Sequence, residues 1–570
     1  MSLRNLAGTT EAPVTVDPVM MQVVKNALDS VAEQMAVTLQ YTAHSTVIRE
    51  VLDFATALLD TQGRLITQSA AAPTFVNAMG PTLRFVIENA APLAEWQEGD
   101  VFLVNDPYLG GSQHLPDLVM FRPIFWRGQL TGIAGCVAHH VDVGGTAPGS
   151  YYMTATQIFQ EGLRIPPVRL YRRGELQVDI KRMLFANIRL PDYVWGDMEA
   201  QMASLRIGEK GLIELLDRWG PQTIGACIDA LLDYSERLMR VGIRRIPNGR
   251  YRFADRLDDD GVSDKPVDIR VELTVEDEEV VADFTGSSAQ RAAPINCSVS
   301  MTTAVVHYCL VAAIGADIPV NEGCFRPVRI IAPKGTVINA VPPAPVVGRM
   351  ATLHRTCDVV NGALAQALPE HIPAAYYGMS TTTMLSGLGE DGGMRWVLFE
   401  IGVGGWGGSA FRDGLESCSA QIHNPANTPI EMIERLHPVR IERYALRQDS
   451  GGAGQHRGGL GLERDVRLLS GNGLFTVLAD RMKFGPYGLA QGGDGARTEL
   501  TLNPGGAGER ALPSKITGVP LAAGDLIRIK TTGGGGWGEA GKRDPAAVRR
   551  DLALGKISPE AAHELYGLKE

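Results

Sequence analysis

Residues 100–145 read DVFLVNDPYLGGSQHLPDLVMFRPIFWRGQLTGIAGCVAHHVDVGG. VFLVND and LVMFRPIF have the length and apolar character of buried strands. LTGIAGCVAHHVDVGG is a third strand, ending in glycines. Working upstream, DFATALLDTQGRLITQ reads as two further strands around the turn Asp60-Thr61-Gln62-Gly63. Before it lies a helix. Asp17-Pro18 supplies an N-cap with Pro at the first helical position. Met20, Val24, Ala27, Val31, Met35 and Leu39 then form one apolar stripe.

Downstream, residues 192–246 carry helical steps through LIELLDRW and IDALLDYSERLM. The acidic stretch LDDDGVSDK at 257–265 is a boundary or a long turn. Val267, Ile269, Val271, Leu273 and Val275 then alternate as a half-buried strand, with EDEE turning into its partner VVADF. The last third is Gly-rich. GVGGWGG (402–408) and GGGGWG (533–538) resemble each other and read as turns between strands. Asp544-Pro545 and Ser558-Pro559 cap two short terminal helices. The expected class is therefore α+β, mixed and multi-domain, with a helical insert in the N-terminal half and a strand-rich, Gly-turn C-terminal half. The expected division is an α/β metal-bearing domain at 1–190, a helical segment at 191–256, a middle α+β domain at 257–400 and a mostly β region at 401–570.

The balance of 54 Lys+Arg against 64 Asp+Glu gives a net charge of −10. That disfavours nucleic-acid binding, which needs clustered cations. No apolar run reaches the ~18 residues of a membrane span; the best, residues 305–320, is interrupted by His307 and Asp317. MSLRNLAGTTEAPVTVDP lacks the apolar core of a signal peptide. The seven Cys are scattered without a CxxC, as for reduced thiols. A cytoplasmic location is expected.

There is no GxxxxGK[ST], HExxH or GxSxG. Gly387, Gly389 and Gly392 make a GxGxxG, but GMRWVLFEIGV after it is a strand pattern, so a hairpin is expected rather than a nucleotide site. The chemistry concentrates elsewhere. NDPYLGGSQHLPD holds Asp106, His114 and Asp117; GCVAHHVDVGG holds His139, His140 and Asp142. Imidazole nitrogen and carboxylate oxygen suit a divalent ion such as Zn or Mn. Gly110, Gly111, Gly144 and Gly145 would let backbone approach a ligand. Successive strand residues face opposite ways, so only one of His139 and His140 should reach a metal. Hydrogen-bonded core histidines and turn-forming aspartates are the competing explanation. His423, His437 and His456 lie in separate loops and read as structural or surface residues.

Several of these stretches, with others, resemble the hydantoinase B/oxoprolinase family over nearly the whole chain. They include DPVMMQVVKNAL, REVLDFATALLDTQGRL, NDPYLGGSQHLPD, AHHVDVGGTAPGS and FQEGLRIPPVRL. IPVNEGCFRPVRIIAPKGTVINA, DVVNGALAQALPE, NTPIEMIE and DSGGAGQHRGGLGLERD continue the match in order. The resemblance implies a subunit that works with a hydantoinase A-type partner, in a hetero-oligomer such as A2B2. The partner binds ATP–Mg and phosphorylates the substrate's amide or carbonyl oxygen. The present chain then opens the activated hydantoin, 5-oxoproline or lactam ring at a metal. Distant relatives, the acetone and acetophenone carboxylases, supply an alternative reading as a carboxylase subunit.

Carried over by motif, the metal ligands are His114, Asp117 and His139, with Asp53 as a fourth. His140, Asp142 and Glu161 are candidates for the general acid that protonates the departing nitrogen, or else for residues that orient the ligands. Many relatives carry a His in an HLGSM-like segment that here reads Phe75-Val76-Asn77-Ala78-Met79. Gln113 stands where Thr is common.

Overall fold

A computed structural model describes residues 16–69, 73–108, 113–315, 318–389 and 393–569. The extreme N-terminal stretch, Gly110, Gly111, Asp317 and Gly392 therefore lie outside the described residues. The first helix, α1 (Pro18–Thr42), starts as its sequence dictates, with the Asp17 side chain accepting from the Val19 amide. Its buried face is Val24, Leu28, Val31, Met35 and Leu39.

Next comes a seven-stranded sheet: β1 (Phe54–Leu59), β2 (Leu65–Gln68), β3 (Val101–Val104), β4 (Asp117–Trp126), β5 (Gln129–His139), β6 (Val168–Arg172) and β7 (Glu175–Leu176). Its order is β2-β1-β5-β4-β3-β6-β7, with every neighbouring pair antiparallel. β4 and β5 form a hairpin through Arg127 and Gly128, both at positive φ (49° and 78°). Such a two-residue turn matches the twist of its strands.

Strand alternation sorts this sheet's residues onto two faces. Val119, Phe121, Ile133 and Val137 join a core with Phe75, Met79 and Leu83 of α2 (Pro73–Asn89). Leu118, Met120, Ala134 and Cys136 face the larger core built with α1 and α3 (Pro191–Ile243). α3 fills the span expected to be helical, with one break at Gly220 (φ 74°) before Pro221. It lies close against α1: a Cβ on Gly211 would stand 2.7 Å from the Val31 side chain.

A second sheet has the order β11-β10-β9-β8, from β8 (Gly249–Leu257), β9 (Val267–Glu276), β10 (Glu279–Asp283) and β11 (Val328–Ile331). The stretch LDDDGVSDK is the long loop of the β8–β9 hairpin. Two helices accompany this sheet in the core: α4 (Val299–Ile314), between β10 and β11, and α5 (Arg349–Ala367), after β11 and buried along nearly its whole length. β12 (Thr381–Leu388) pairs with β13 (Met394–Gly402), so the GxGxxG residues Gly387 and Gly389 sit in a strand and its turn. Two further sheets use strands between Thr381 and Lys530. The terminal helices Pro545–Ala553 and Pro559–Glu564 are capped by the Asp544 and Ser558 side chains. The architecture is thus multi-domain α+β.

The glycine tracts differ from their expected use as turns. The Gly405 amide donates to Thr532, Gly408 to Gly535, Gly459 to Trp406 and Gly534 to Gly459, at 2.8 to 3.1 Å. The tracts therefore lie backbone against backbone. A Cβ on Gly405 would sit 1.8 Å from the Gly459 carbonyl oxygen, and one on Gly534 would sit 2.0 Å from that of Trp406. Close approach explains the glycine content here.

Candidate metal centre

The β4–β5 hairpin sets the site. Its register pairs Asp117, the first residue of β4, with His139, the last of β5. A tight turn precedes β4, with the Asp117 amide donating to the His114 carbonyl (3.0 Å), and brings His114 round to the same point. His114 Nε2 stands 3.0 Å from His139 Nδ1 and 3.1 Å from Asp117 Oδ1. His139 Nδ1 is 3.2 Å from the same carboxylate oxygen. All three residues are buried. They are the one group of three or more His, Cys, Asp and Glu, among the described residues, whose ligand atoms converge within 4.8 Å.

Burial is the first influence on the charge of these groups. It pushes the His114 pKa down to about 3, helped by the Arg349 guanidinium, so the imidazole is neutral near pH 7. Burial alone would raise the Asp117 pKa; His114, His139 and Arg349 outweigh it and hold the carboxyl well below the usual range. Two imidazole nitrogens 3.0 Å apart can share at most one hydrogen between them. An imidazole lone pair and an ionised carboxylate oxygen therefore converge on one buried point. This donor set fits a divalent cation such as Zn or Mn.

Asp53 lies just before β1, and its carbonyl accepts from the His139 amide (3.0 Å). Burial raises its pKa, but His423 and His139 outweigh this and leave it lowered. Its carboxylate is outside the converging group of three; its Oδ1 faces His423 Nε2 at 3.6 Å. His140 points to the opposite face of the sheet, as alternation requires, with Nε2 3.0 Å from Gln201 Oε1 on α3. Asp142 accepts from the amides of Gly144, Gly149 and Arg189 and from the Arg189 guanidinium, at 2.9 to 3.1 Å. Glu161 accepts from the Val346 and Val347 amides (3.0 and 2.8 Å), and burial raises its pKa to about 8. It thereby ties down the segment leading into α5. Asp106 is engaged elsewhere, by Arg164 and the Tyr108 amide.

Gly144 and Gly145 crowd the chain itself rather than a ligand: a Cβ on either would meet Asn187 or Glu161 backbone at 2.4 to 2.6 Å. Phe75 is buried in the apolar core on the same face of the sheet as Asp117 and His139.

Sequence reasoning missed Arg349, the first residue of α5. Its Nη2 donates to Gln113 Oε1 (3.1 Å) and lies 3.5 Å from Asp117 Oδ2. It also missed the aromatic wall. The Phe399 ring packs 4.9 Å from that of His139, and Tyr151 meets His114 edge-on at 5.7 Å. Arg349 and Phe399 reach the site from far along the chain and leave no local pattern, whereas Tyr151 directly follows the AHHVDVGGTAPGS stretch.

Known proteins supply the context for this geometry. The family model described as hydantoinase B/oxoprolinase matches residues 17–540, and the chain belongs to that family. It is 32% identical to caprolactamase subunit beta of Pseudomonas jessenii, over 97% of this chain and 96% of that one. The crystal structure of ATP-dependent caprolactamase from that organism superposes with a TM-score of 0.89 over 97% of this chain and 96% of the other, at 30% identity. 5-Oxoprolinase 1 of Arabidopsis thaliana is 30% identical over 92% of this chain, which spans 42% of its length. The nucleotide-free structure of acetone carboxylase shares the fold, with a TM-score of 0.88 over 97% of this chain and 79% of that one, at 20% identity.

Proposed function

We propose that this chain is the metal-bearing subunit of an ATP-dependent cyclic amidohydrolase. It opens a phosphate-activated hydantoin, 5-oxoproline or lactam ring in the cytoplasm. ATP–Mg is bound by a hydantoinase A-type partner, in a hetero-oligomer such as A2B2. The buried convergence of His114, Asp117 and His139 carries this reading, and relatives that include an ATP-dependent caprolactamase support it. A divalent ion would be held by these three residues, with Asp53 as a fourth ligand. Such an ion, when bound, activates water as a nucleophile near neutral pH.

The chain's own residues prepare the site. His114 and His139, with Arg349 behind them, hold Asp117 ionised, and Arg349 lies 3.5 Å from its second carboxylate oxygen. Tyr151 and Phe399 cover the imidazoles and exclude bulk water. Glu161 fixes the entry to α5 and so places Arg349. Asp142 and His140 are committed to hydrogen bonds that hold the hairpin end, and their role is to orient the ligands.

Elemental analysis of purified wild-type protein should find Zn or Mn, and His114→Ala should lose it. Equal metal in both would refute the ligand assignment. The chain alone should hydrolyse no ATP. With the A-type partner added, ATP hydrolysis should become dependent on the cyclic amide. Substrate consumption that requires bicarbonate would indicate a carboxylase instead.

A further inference from the structure

A cavity of about 450 Å3 lies between β2 and β11, each the edge strand of its sheet. Leu65, Val328 and Ile330 form its apolar wall, and α2 and α4 contribute Arg84 and His307. It is remote from the metal centre. Leu65 pairs with Leu59 on β1, five residues, or about 17 Å, from the Phe54 end that pairs beside His139. His307 is 7% exposed, yet its side chain makes no hydrogen bond among the described residues, and its Nδ1 is buried and unpaired. Its ring stacks on Phe325 at 4.0 Å and 6°, which fixes the direction of its edge. Arg84 Nη1 donates to the Gly63 carbonyl (2.9 Å) and stands 3.6 Å from Glu322 Oε1, too far for a hydrogen bond. Arg84 Nε and Nη2 have no partner among the described residues, and Glu322 has no other cation there. Arg326, the second cation on the wall, is already engaged: its Nη1 donates to Asp233 and Glu236 of α3, at 2.9 Å each.

We propose that this cavity binds a small α-amino acid with an uncharged polar side chain: its carboxylate on Arg84, its ammonium on Glu322 and its side-chain end at His307. A cation and an anion 3.6 Å apart, not bonded to each other, match a ligand that carries both charges close together. A simple anion would meet the Glu322 carboxylate, and a simple cation the Arg84 guanidinium. An α-amino acid places a single carbon between its two charged groups, which suits neighbouring partners. The free Nε–Nη2 edge of Arg84 is the fork that holds a carboxylate through two parallel bonds. Burial pushes the His307 pKa down to about 3, so the ring is neutral near pH 7 and offers one donor and one acceptor. A side-chain amide or hydroxyl donates or accepts as required, and so satisfies whichever nitrogen it meets. The cavity's volume lies within the range of small-molecule sites. A ligand held this way ties α2 to the Glu322–Phe325 turn. Neither the metal nor the partner subunit enters into this binding.

Calorimetric titration of the full-length chain with L-glutamine, L-norleucine and glutaramate tests this. L-Norleucine keeps both charges but has an apolar end; glutaramate keeps the carboxylate and the amide but has no ammonium. Wild type should bind L-glutamine about fivefold more tightly than L-norleucine and about tenfold or more tightly than glutaramate. Glu322→Gln should weaken L-glutamine by about tenfold and should not weaken glutaramate. His307→Phe keeps an aromatic ring against Phe325; it should weaken L-glutamine by about fivefold and leave L-norleucine within about twofold of wild type. The contrast between two ligands within each variant separates a lost contact from a damaged fold. No binding of any of the three ligands by wild type would overturn the assignment. So would binding of glutaramate or L-norleucine as tight as that of L-glutamine, or equal losses for both ligands in either variant.

Discussion

The His139→Ala complex should continue to form ADP while ring opening falls by about 100-fold or more. That loss corresponds to ~2.7 kcal/mol of transition-state stabilisation. The expectation follows from the placement of His139. It contributes one corner of the buried triangle, and the ATP site belongs to the partner in the proposed division of labour. Phosphorylation of the substrate should therefore survive its removal, and the activated species should decay unproductively. Measuring ADP and ring-opened product in one reaction checks this. A parallel fall in both, with the complex still assembled, would give the triangle a role before phosphoryl transfer. No fall in either would make it structural.

Gly405→Ala should be among the most damaging single substitutions in the chain, costing on the order of 4 kcal/mol or more. Its added Cβ would stand 1.8 Å from the Gly459 carbonyl oxygen and within 2.7 Å of the Gly534 amide nitrogen, both backbone atoms that cannot rotate away. Gly541→Ala makes the control, since a Cβ there meets nothing within 4 Å. The midpoint of denaturant unfolding should shift strongly in the first variant and hardly in the second. Similar midpoints would show that the tracts separate readily and that their close packing contributes little.

Local patterns carried much of this molecule. Periodicity and capping marked α1, α3 and the terminal helices, the turn at Asp60–Gly63 marked the hairpin around it, and alternation marked the one between β9 and β10. The His114, Asp117 and His139 spacing was readable because one hairpin and one turn bring those residues together. The rest of the site assembles over long sequence distances. Arg349 meets Gln113 across 236 positions, and His423, read from its loop as a structural or surface residue, faces Asp53. Neither contact leaves a periodic trace. The glycine tracts misled for a related reason: a preference for glycine has two physical causes, positive φ and lack of room, and composition alone does not separate them.

The β4–β5 register has a consequence for how the centre comes into being. Trp126 and Gln129 flank the two-residue turn, whereas Asp117 and His139 close the far end of the ladder. A hairpin that zips from its turn completes that end last. A slip of one residue would send Asp117 or His139 to the face occupied by His140 and Gln201. The two side chains can therefore meet only in a correctly aligned hairpin. The convergence of these side chains therefore reports on the fold: a central hairpin slipped by one residue puts Asp117 and His139 on opposite faces of the sheet and does not bring them together.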